Sequence, residues 1–393
     1  MLVAPQFVTF IDLEFPLKPL LSLCLALGMF SLGNSPLHAQ TAGDSIVIGT
    51  SLPLSGSNAA AGQEGLAVMK AYFDSVNKAG GIDGRKLQLM ALDDGFSAKK
   101  AAENVQALSD AKAVAIFNCW GTSSCSAMMP VITQAGLPMV GGIAGGGIMR
   151  HQPGRLAFNI RATTDAEIET MVKQMSAIGQ TSIALVFQND AFGKSGQVSS
   201  QAIFATHKLK PVAEIAIELD GSNAPAVVES LKKLPSLNGI ILVASPTATV
   251  SLITQARKNQ LNTQFYVLAA QANQRVVSQL GENTKGVVFT TLVPNPWKEG
   301  ISVVREYQQI YSAATGKQEY SYLGMEVFIN ARTLVEGLRK AGRNVTRESL
   351  VSAMETKGEM VYGPMSVHFK PGSRNGSSYV SMAIINKQGR FIE

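Results

Sequence analysis

The chain has 393 residues, 46% of them hydrophobic and 16% charged, with a formal charge of +6. This length accommodates two domains of ordinary size, and the composition is that of a folded chain, not a disordered one. The basic residues are scattered, without a Lys/Arg run or an interleaved aromatic stripe, so no nucleic-acid partner is expected.

The N-terminus reads as an export signal. Leu20–Leu32 is mostly apolar, has the length of a signal core and is too short to span a bilayer. Lys18 flanks it, and Ala39 before Gln40 suits cleavage, so residues 1–39 are expected to be removed. Asp12 and Glu14 are unusual in such a leader and suggest that translation starts downstream of Met1. Cys24 lies inside the apolar run behind bulky Leu23, which argues against lipidation. No later stretch is apolar for long enough to cross a membrane, so the expected mature protein is soluble and periplasmic.

Strands and helices then alternate. Ile46–Ser51 reads as a strand, Ala60–Lys78 as a helix, Leu87–Leu92 as a strand and Ala98–Ser109 as a helix. Ala113–Phe117 is a short apolar strand of the kind a parallel sheet buries. Asn118-Cys119-Trp120-Gly121-Thr122-Ser123 follows as a tight turn into a helix, with Thr122 or Ser123 placed to cap it. A helix start carries unpaired N–H groups and a positive dipole end, suited to an electron-rich oxygen. Cys119 and Cys125 could bridge, but sequence does not give their Cα separation, and two buried free thiols are the expectation. Pro138–Val140 is a strand opening into the glycine-rich stretch Gly141–Gly147.

A second unit repeats the pattern. Strands are read at Ala157–Ile160, Ile183–Phe187, Val212–Ile217, Gly239–Val243, Phe265–Leu268 and Gly286–Thr290, with helices between most of them. Late helices are expected near Val303–Ala314, Tyr322–Ala341 and Arg347–Glu355, and final strands at Met365–Phe369 and Tyr379–Ile385. The alternation predicts an α/β fold of two Rossmann-like lobes with parallel central sheets and right-handed crossovers.

Several segments carry a resemblance: Ile48-Gly49 through Pro53-Leu54-Ser55-Gly56, Asn77-Lys78-Ala79-Gly80-Gly81-Ile82-Asp83-Gly84-Arg85-Lys86, Asp93-Asp94, Gly121-Thr122-Ser123, Asn159-Ile160-Arg161 and Asp190-Ala191-Phe192-Gly193. On these, residues 46–369 resemble the type I periplasmic binding proteins, specifically the leucine/isoleucine/valine-binding solute receptors of ABC transporters. The resemblance implies two lobes joined by a three-strand hinge that close on a ligand. The crossings would lie near Ile160–Thr163, Leu292–Pro294 and Tyr362–Pro364. One lobe would comprise residues 44–161 and 293–363, the other 162–292 and 364–393. It further implies a small-molecule solute, an ABC-transporter permease in the inner membrane as partner, and a monomer.

The candidate ligand residues fall at strand ends. Ser55, Trp120, Gly121, Thr122, Ser123, Gly142 and Ile143 belong to the first lobe, and Asp190, Phe192, Ser245 and Gln271 to the second. In the resembling aliphatic amino-acid binders a Ser near the position of Thr122 and a Thr near Gly145 hold the carboxylate, and a Glu near Ala269–Gln271 holds the ammonium. Here Gly145 has no side chain, and Ala269-Ala270-Gln271 carries no charge. An unpaired buried ammonium is costly. A neutral or carboxylate-bearing solute is therefore expected, aromatic if Trp120 and Phe192 stack on it. Asp190 could supply an acid or merely cap its helix.

No enzyme, metal or cofactor is expected. His38, His151, His207 and His368 lack ligand spacing. Gln188 stands where a phosphate loop before Gly193-Lys194-Ser195 would need Gly, and Gly141–Gly147 does not contain GxGxxG. Ser123 and Ser195 have no paired His. The alternatives are a ligand-sensing module of the same fold and an exported hydrolase-like enzyme, the latter lacking a catalytic cluster.

Overall fold

Strand β1 (Ile46–Leu52) is apolar and almost wholly buried, and the first sheet is built outward from it. The computed structural model describes residues 45–56, 58–146, 148–151 and 154–393. The expected signal segment, residues 1–39, lies outside them, as does Gly147. After β1 come α1 (Ala59–Lys78), β2 (Leu87–Asp93), α2 (Ala98–Asp110), β3 (Ala115–Phe117), α3 (Thr122–Ala135), β4 (Met139–Val140), the one-turn α4 (Ile148–His151) and β5 (Ala157–Phe158). The five strands run parallel in the order β2-β1-β3-β4-β5.

The second sheet follows α5 (Thr164–Ala177). It uses β6 (Ile183–Gln188), α6 (Ala191–Thr206), β7 (Ala213–Ile217), α7 (Ala224–Lys232), β8 (Gly239–Val243), α8 (Pro246–Lys258), β9 (Gln264–Val267), α9 (Gln274–Leu280) and β10 (Val287–Thr291). The helix α9, absent from the periodicity reading, is seven residues long, shorter than the pattern that reveals a helix. Its start is capped by Asn273, whose Oδ1 accepts from the Val276 N–H.

The chain then returns to the first lobe through α10 (Ser302–Thr315), α11 (Tyr322–Ala341) and α12 (Arg347–Thr356). Helices α10 and α11 pack on α1, with the Tyr72 and Phe328 rings edge to face at 4.9 Å. Arg347 fastens α12 by donating to the carbonyls of Ala113, Ala135 and Ser109, the ends of three different segments.

The third crossing lies elsewhere than the sequence suggested. Tyr362–Pro364 is not a passage between lobes but part of a hairpin between β11 (Met360–Tyr362) and β12 (Met365–Val367). The chain then stays against the first sheet. Asn375 bridges to Asn159 beside β5, Asn159 N–H donates to the Arg374 carbonyl, and Phe369 meets Phe158 edge to face at 5.2 Å. Only past Gly376 does it cross, to β13 (Ser381–Ile385) and β14 (Phe391–Ile392). These join the second sheet antiparallel at its edge, giving the order β14-β13-β10-β9-β8-β6-β7. Hydrophobic patterning located the strands but not their sheet, because a short buried strand looks alike in either.

Candidate functional site

The carboxyl ends of both sheets supply the candidate residues, as open α/β sheets do. On the first sheet the loop after β2 is tied down by Asp93. Its carboxylate accepts from the Leu54, Ser55 and Gly95 N–H groups and from the Ser55 hydroxyl. The Ser55 hydroxyl bond, reinforced by the Gly95 amide, holds the Asp93 carboxyl down at about 2. Ser55 is thus engaged with its neighbour. The same loop presents Phe96, 45% exposed at a left-handed φ of 64°, with its ring against Gly121: a Cβ there would lie 2.8 Å from it. An isolated Phe after Asp-Asp-Gly gives no periodic signal, so sequence reasoning passed over it.

Trp120 is buried. Its ring is buried over Gly65 of α1, where a Cβ would fall 2.5 Å from it, and Trp120 pairs with Ile143 along the backbone. It packs as core against α1. Cys119 and Cys125 are joined in a disulfide with Cα atoms 5.4 Å apart, which corrects the free-thiol expectation. The turn between them folds both thiols back toward each other at the start of α3. Gly142 packs on the Cys119 sulfur, so it too supports the turn.

Neither Thr122 nor Ser123 caps α3. Gly121 occupies the N-cap position at a φ of 76°, and no side chain bonds the first turn. The N–H groups of Thr122, Ser123 and Ser124 therefore have no acceptor among the described residues, whereas Cys125 N–H bonds the Gly121 carbonyl. The backbone of Gly146 comes close to Thr122: a Cβ on Gly146 would lie 2.6 Å from the Thr122 hydroxyl. Across from this loop stand Phe192, Ser195 and Gly196 of α6 and Thr164 and Asp165 of α5. Together with Gly146 they line a remnant gap of about 10 Å³ between the lobes. A larger open depression, about 690 Å³, lies between α7 and α8 and contains none of the candidate residues.

On the second sheet Asp190 and Ser245 are linked through the Gln188 side chain. Asp190 caps α6, accepting from the Gly193 N–H at 2.9 Å, and also accepts from the Gln188 side chain. Gln188 accepts from the Ser245 N–H at 2.8 Å, while Ser245 caps α8 and donates to the Leu219 carbonyl. Gln271 is fully buried, donates to the Ala244 carbonyl and leaves its Oε1 without a partner.

Four charged residues that sequence reasoning did not select are buried where the lobes join: Arg150, Arg161, Glu167 and Glu326. Arg161 Nε lies 3.4 Å from Glu326 Oε1. Glu167 of α5 accepts from the Ala269 N–H at 2.7 Å and from the Thr290 hydroxyl. Burial pushes both carboxyls up, opposed by the Arg161 charge. Glu326 did carry a signal: it interrupts the apolar run of α11, a helix buried nearly all round. Among the described residues, no group of three or more His, Cys, Asp or Glu is arranged to hold a metal.

The fold recurs in solved proteins. An extracellular ligand-binding receptor from Verminephrobacter eiseniae shares 26% identity at a TM-score of 0.82, over 89% of this chain and all of that one. A substrate-binding periplasmic protein from Ralstonia solanacearum shares 30% identity at a TM-score of 0.80, over 88% of this chain and 99% of that one. A curated amino acid binding protein from Pseudomonas aeruginosa is 32% identical over 114 residues, 29% of this chain, and the match spans only 30% of that protein's length. The family model described as periplasmic binding protein matches residues 45–388. The chain therefore belongs to the periplasmic binding proteins, in their type I form.

Proposed function

We propose that this protein is the solute receptor of an ABC transporter, capturing a small carboxylate-bearing solute between its lobes and delivering it to an inner-membrane permease. The observation that carries this reading is the uncapped first turn of α3, whose Thr122 packs on Gly146, a residue that lines the gap with Phe192 and Ser195. Its three free N–H groups and the helix dipole suit an electron-rich oxygen. Thr122, Ser123, Gly121 and Ile143 form one wall, and Phe192, Ser245, Asp190 and Gln271 the other. Trp120 acts from behind, as support. The protein works as an exported monomer, without bond making or breaking and without a cofactor. The buried disulfide favours an oxidising compartment.

The lobes comprise residues 44–161 with 293–376, and 162–292 with 377–393. This partition moves the last boundary to follow the strap beside β5.

The test is mass spectrometry of solute released from natively purified protein, followed by calorimetry and by small-angle scattering with and without that solute. A bound small acid and a more compact particle are expected. Turnover of the solute, or no solute and no change in shape, would refute the reading. Capture of a permease from inner membranes separates a transporter receptor from a sensory module.

A further inference from the structure

Aromatic rings from both lobes meet at the seam where the second crossing leaves β10. Phe391 of β14 is buried at their centre. Its ring lies edge to face with Phe289 of β10 at 5.3 Å and with Tyr322 at the start of α11 at 5.3 Å. It is stacked on Trp297 at 5.9 Å, with the ring planes 10° apart. Phe289 and Phe391 belong to the second sheet. Asn386 fixes the hairpin that presents Phe391, its Oδ1 accepting from the Gln388 and Arg390 N–H groups. Tyr322 and Trp297 belong to the first lobe. Trp297 N–H donates to Asn295 Oδ1 at 3.0 Å, and Gln308 of α10 donates to the neighbouring Pro296 carbonyl at 2.9 Å, which fastens the indole to that lobe's helices. The Trp297 and Tyr322 rings also meet edge to face at 5.6 Å, so together they form a two-walled notch for Phe391. Glu393 adds a polar link across the seam, accepting from the Thr291 hydroxyl at 3.4 Å and the Tyr322 hydroxyl at 3.5 Å. None of these residues lines the gap that holds Phe192 and Ser195.

On the solute-receptor reading the lobes must part to admit a solute. On that reading, we propose that Phe391 is a hinge clasp: its ring, carried by the second lobe, seats in the Trp297–Tyr322 notch of the first lobe when the lobes close and leaves it when they open. The gap between the lobes is only about 10 Å³ here, so the seated ring belongs to the closed arrangement. Phe289 moves with Phe391, and that contact persists. The contacts to Trp297 and Tyr322 are the ones that opening breaks. Each aromatic pair adds a several-fold bias beyond its buried area, and withdrawal returns apolar ring surface to water. The clasp therefore favours the closed conformer without touching the solute, and overall affinity rises with the closed fraction. Trp297 is 40% exposed and is uncovered further by opening, whereas Trp120, the chain's other tryptophan, is buried in the first lobe.

The experiment is small-angle scattering, with acrylamide quenching of tryptophan emission, on purified protein stripped of solute by unfolding in guanidinium and refolding. Phe391→Leu should enlarge the radius of gyration and raise the quenchable fraction, the closed-to-open ratio falling about tenfold on loss of two aromatic pairs. Trp297→Phe identifies the quenchable emission as that of Trp297. Phe369→Leu, which loosens the Phe158 contact inside the first lobe, should lower stability and change neither reading. Each variant is checked for native circular dichroism. If Phe391→Leu does not fold, Trp297→Ala, at a partly exposed ring, decides by scattering, with an enlarged radius expected. An unchanged radius and quenching in folded Phe391→Leu, an unchanged radius in Trp297→Ala where that variant decides, or equal expansion in Phe369→Leu overturns the clasp and leaves the receptor reading standing. That reading is decided separately, by the solute released from natively purified protein.

Discussion

Arg161 holds its Nε 3.4 Å from Oε1 of Glu326, and both side chains are buried where the first crossing meets α11. Breaking one side of a buried pair strands the other charge. Glu326→Ala should cost about 3–5 kcal/mol, read by urea denaturation. The double replacement Arg161→Met with Glu326→Leu should cost much less, because no charge is left uncompensated. A double variant as unstable as the single one would show that the pair acts through more than its charges.

The Cys119–Cys125 disulfide closes a short loop between the end of β3 and the first turn of α3. Replacing both with Ser should cost about 2 kcal/mol on loop entropy alone. It should also weaken solute binding, since the free N–H groups of α3 are positioned by that loop. Thermal unfolding with and without reductant, paired with calorimetry, checks both effects. Loss of stability with intact affinity would separate the loop from the site.

Trp120 and Gly65 form a matched contact. Trp120→Ala should destabilise by about 3–5 kcal/mol, as large-to-small core changes do. Gly65→Ala should also destabilise, because its Cβ would fall 2.5 Å from the indole. Solute saturation should not rescue either variant selectively. Selective rescue would mean that the indole touches solute after all.

Asp93 makes stability fall in acid. Its folded pKa, about 2, lies below the ordinary aspartate value of about 4. Its contribution is present above the unfolded pKa and lost as pH falls from about 4 to about 2. Asp93→Asn should flatten the melting temperature across that window, modestly because the carboxylate is exposed. An unchanged slope in Asp93→Asn would assign the acid sensitivity to other carboxylates.

Much of the architecture was legible. The strand–helix alternation from Ile46 to Thr290 placed nearly every element, and the glycine turn after Asn77 and the Gly121-Thr122-Ser123 step marked the family. What escaped was non-local. The disulfide depends on a Cα separation set by the turn. The burial of Trp120 depends on a glycine 55 positions earlier, on another element. The strap beyond Phe369 pairs with Asn159, which no periodicity can announce. Arg150, Arg161, Glu167 and Glu326 lie on separate segments with no shared spacing, and only the apolar context of Glu326 hinted at one of them.

The strap beside β5 also bears on the order in which the molecule assembles. The lobe that opens the chain needs α10–α12 and residues up to Gly376 to complete its core and cover its edge strand. The other lobe draws most of its sheet from one continuous stretch, β6 to β10. The first lobe begun is therefore the last finished, held open by long loop closures until nearly the whole polypeptide has been made. That lobe, though not the second, stays extensible for most of the chain's synthesis.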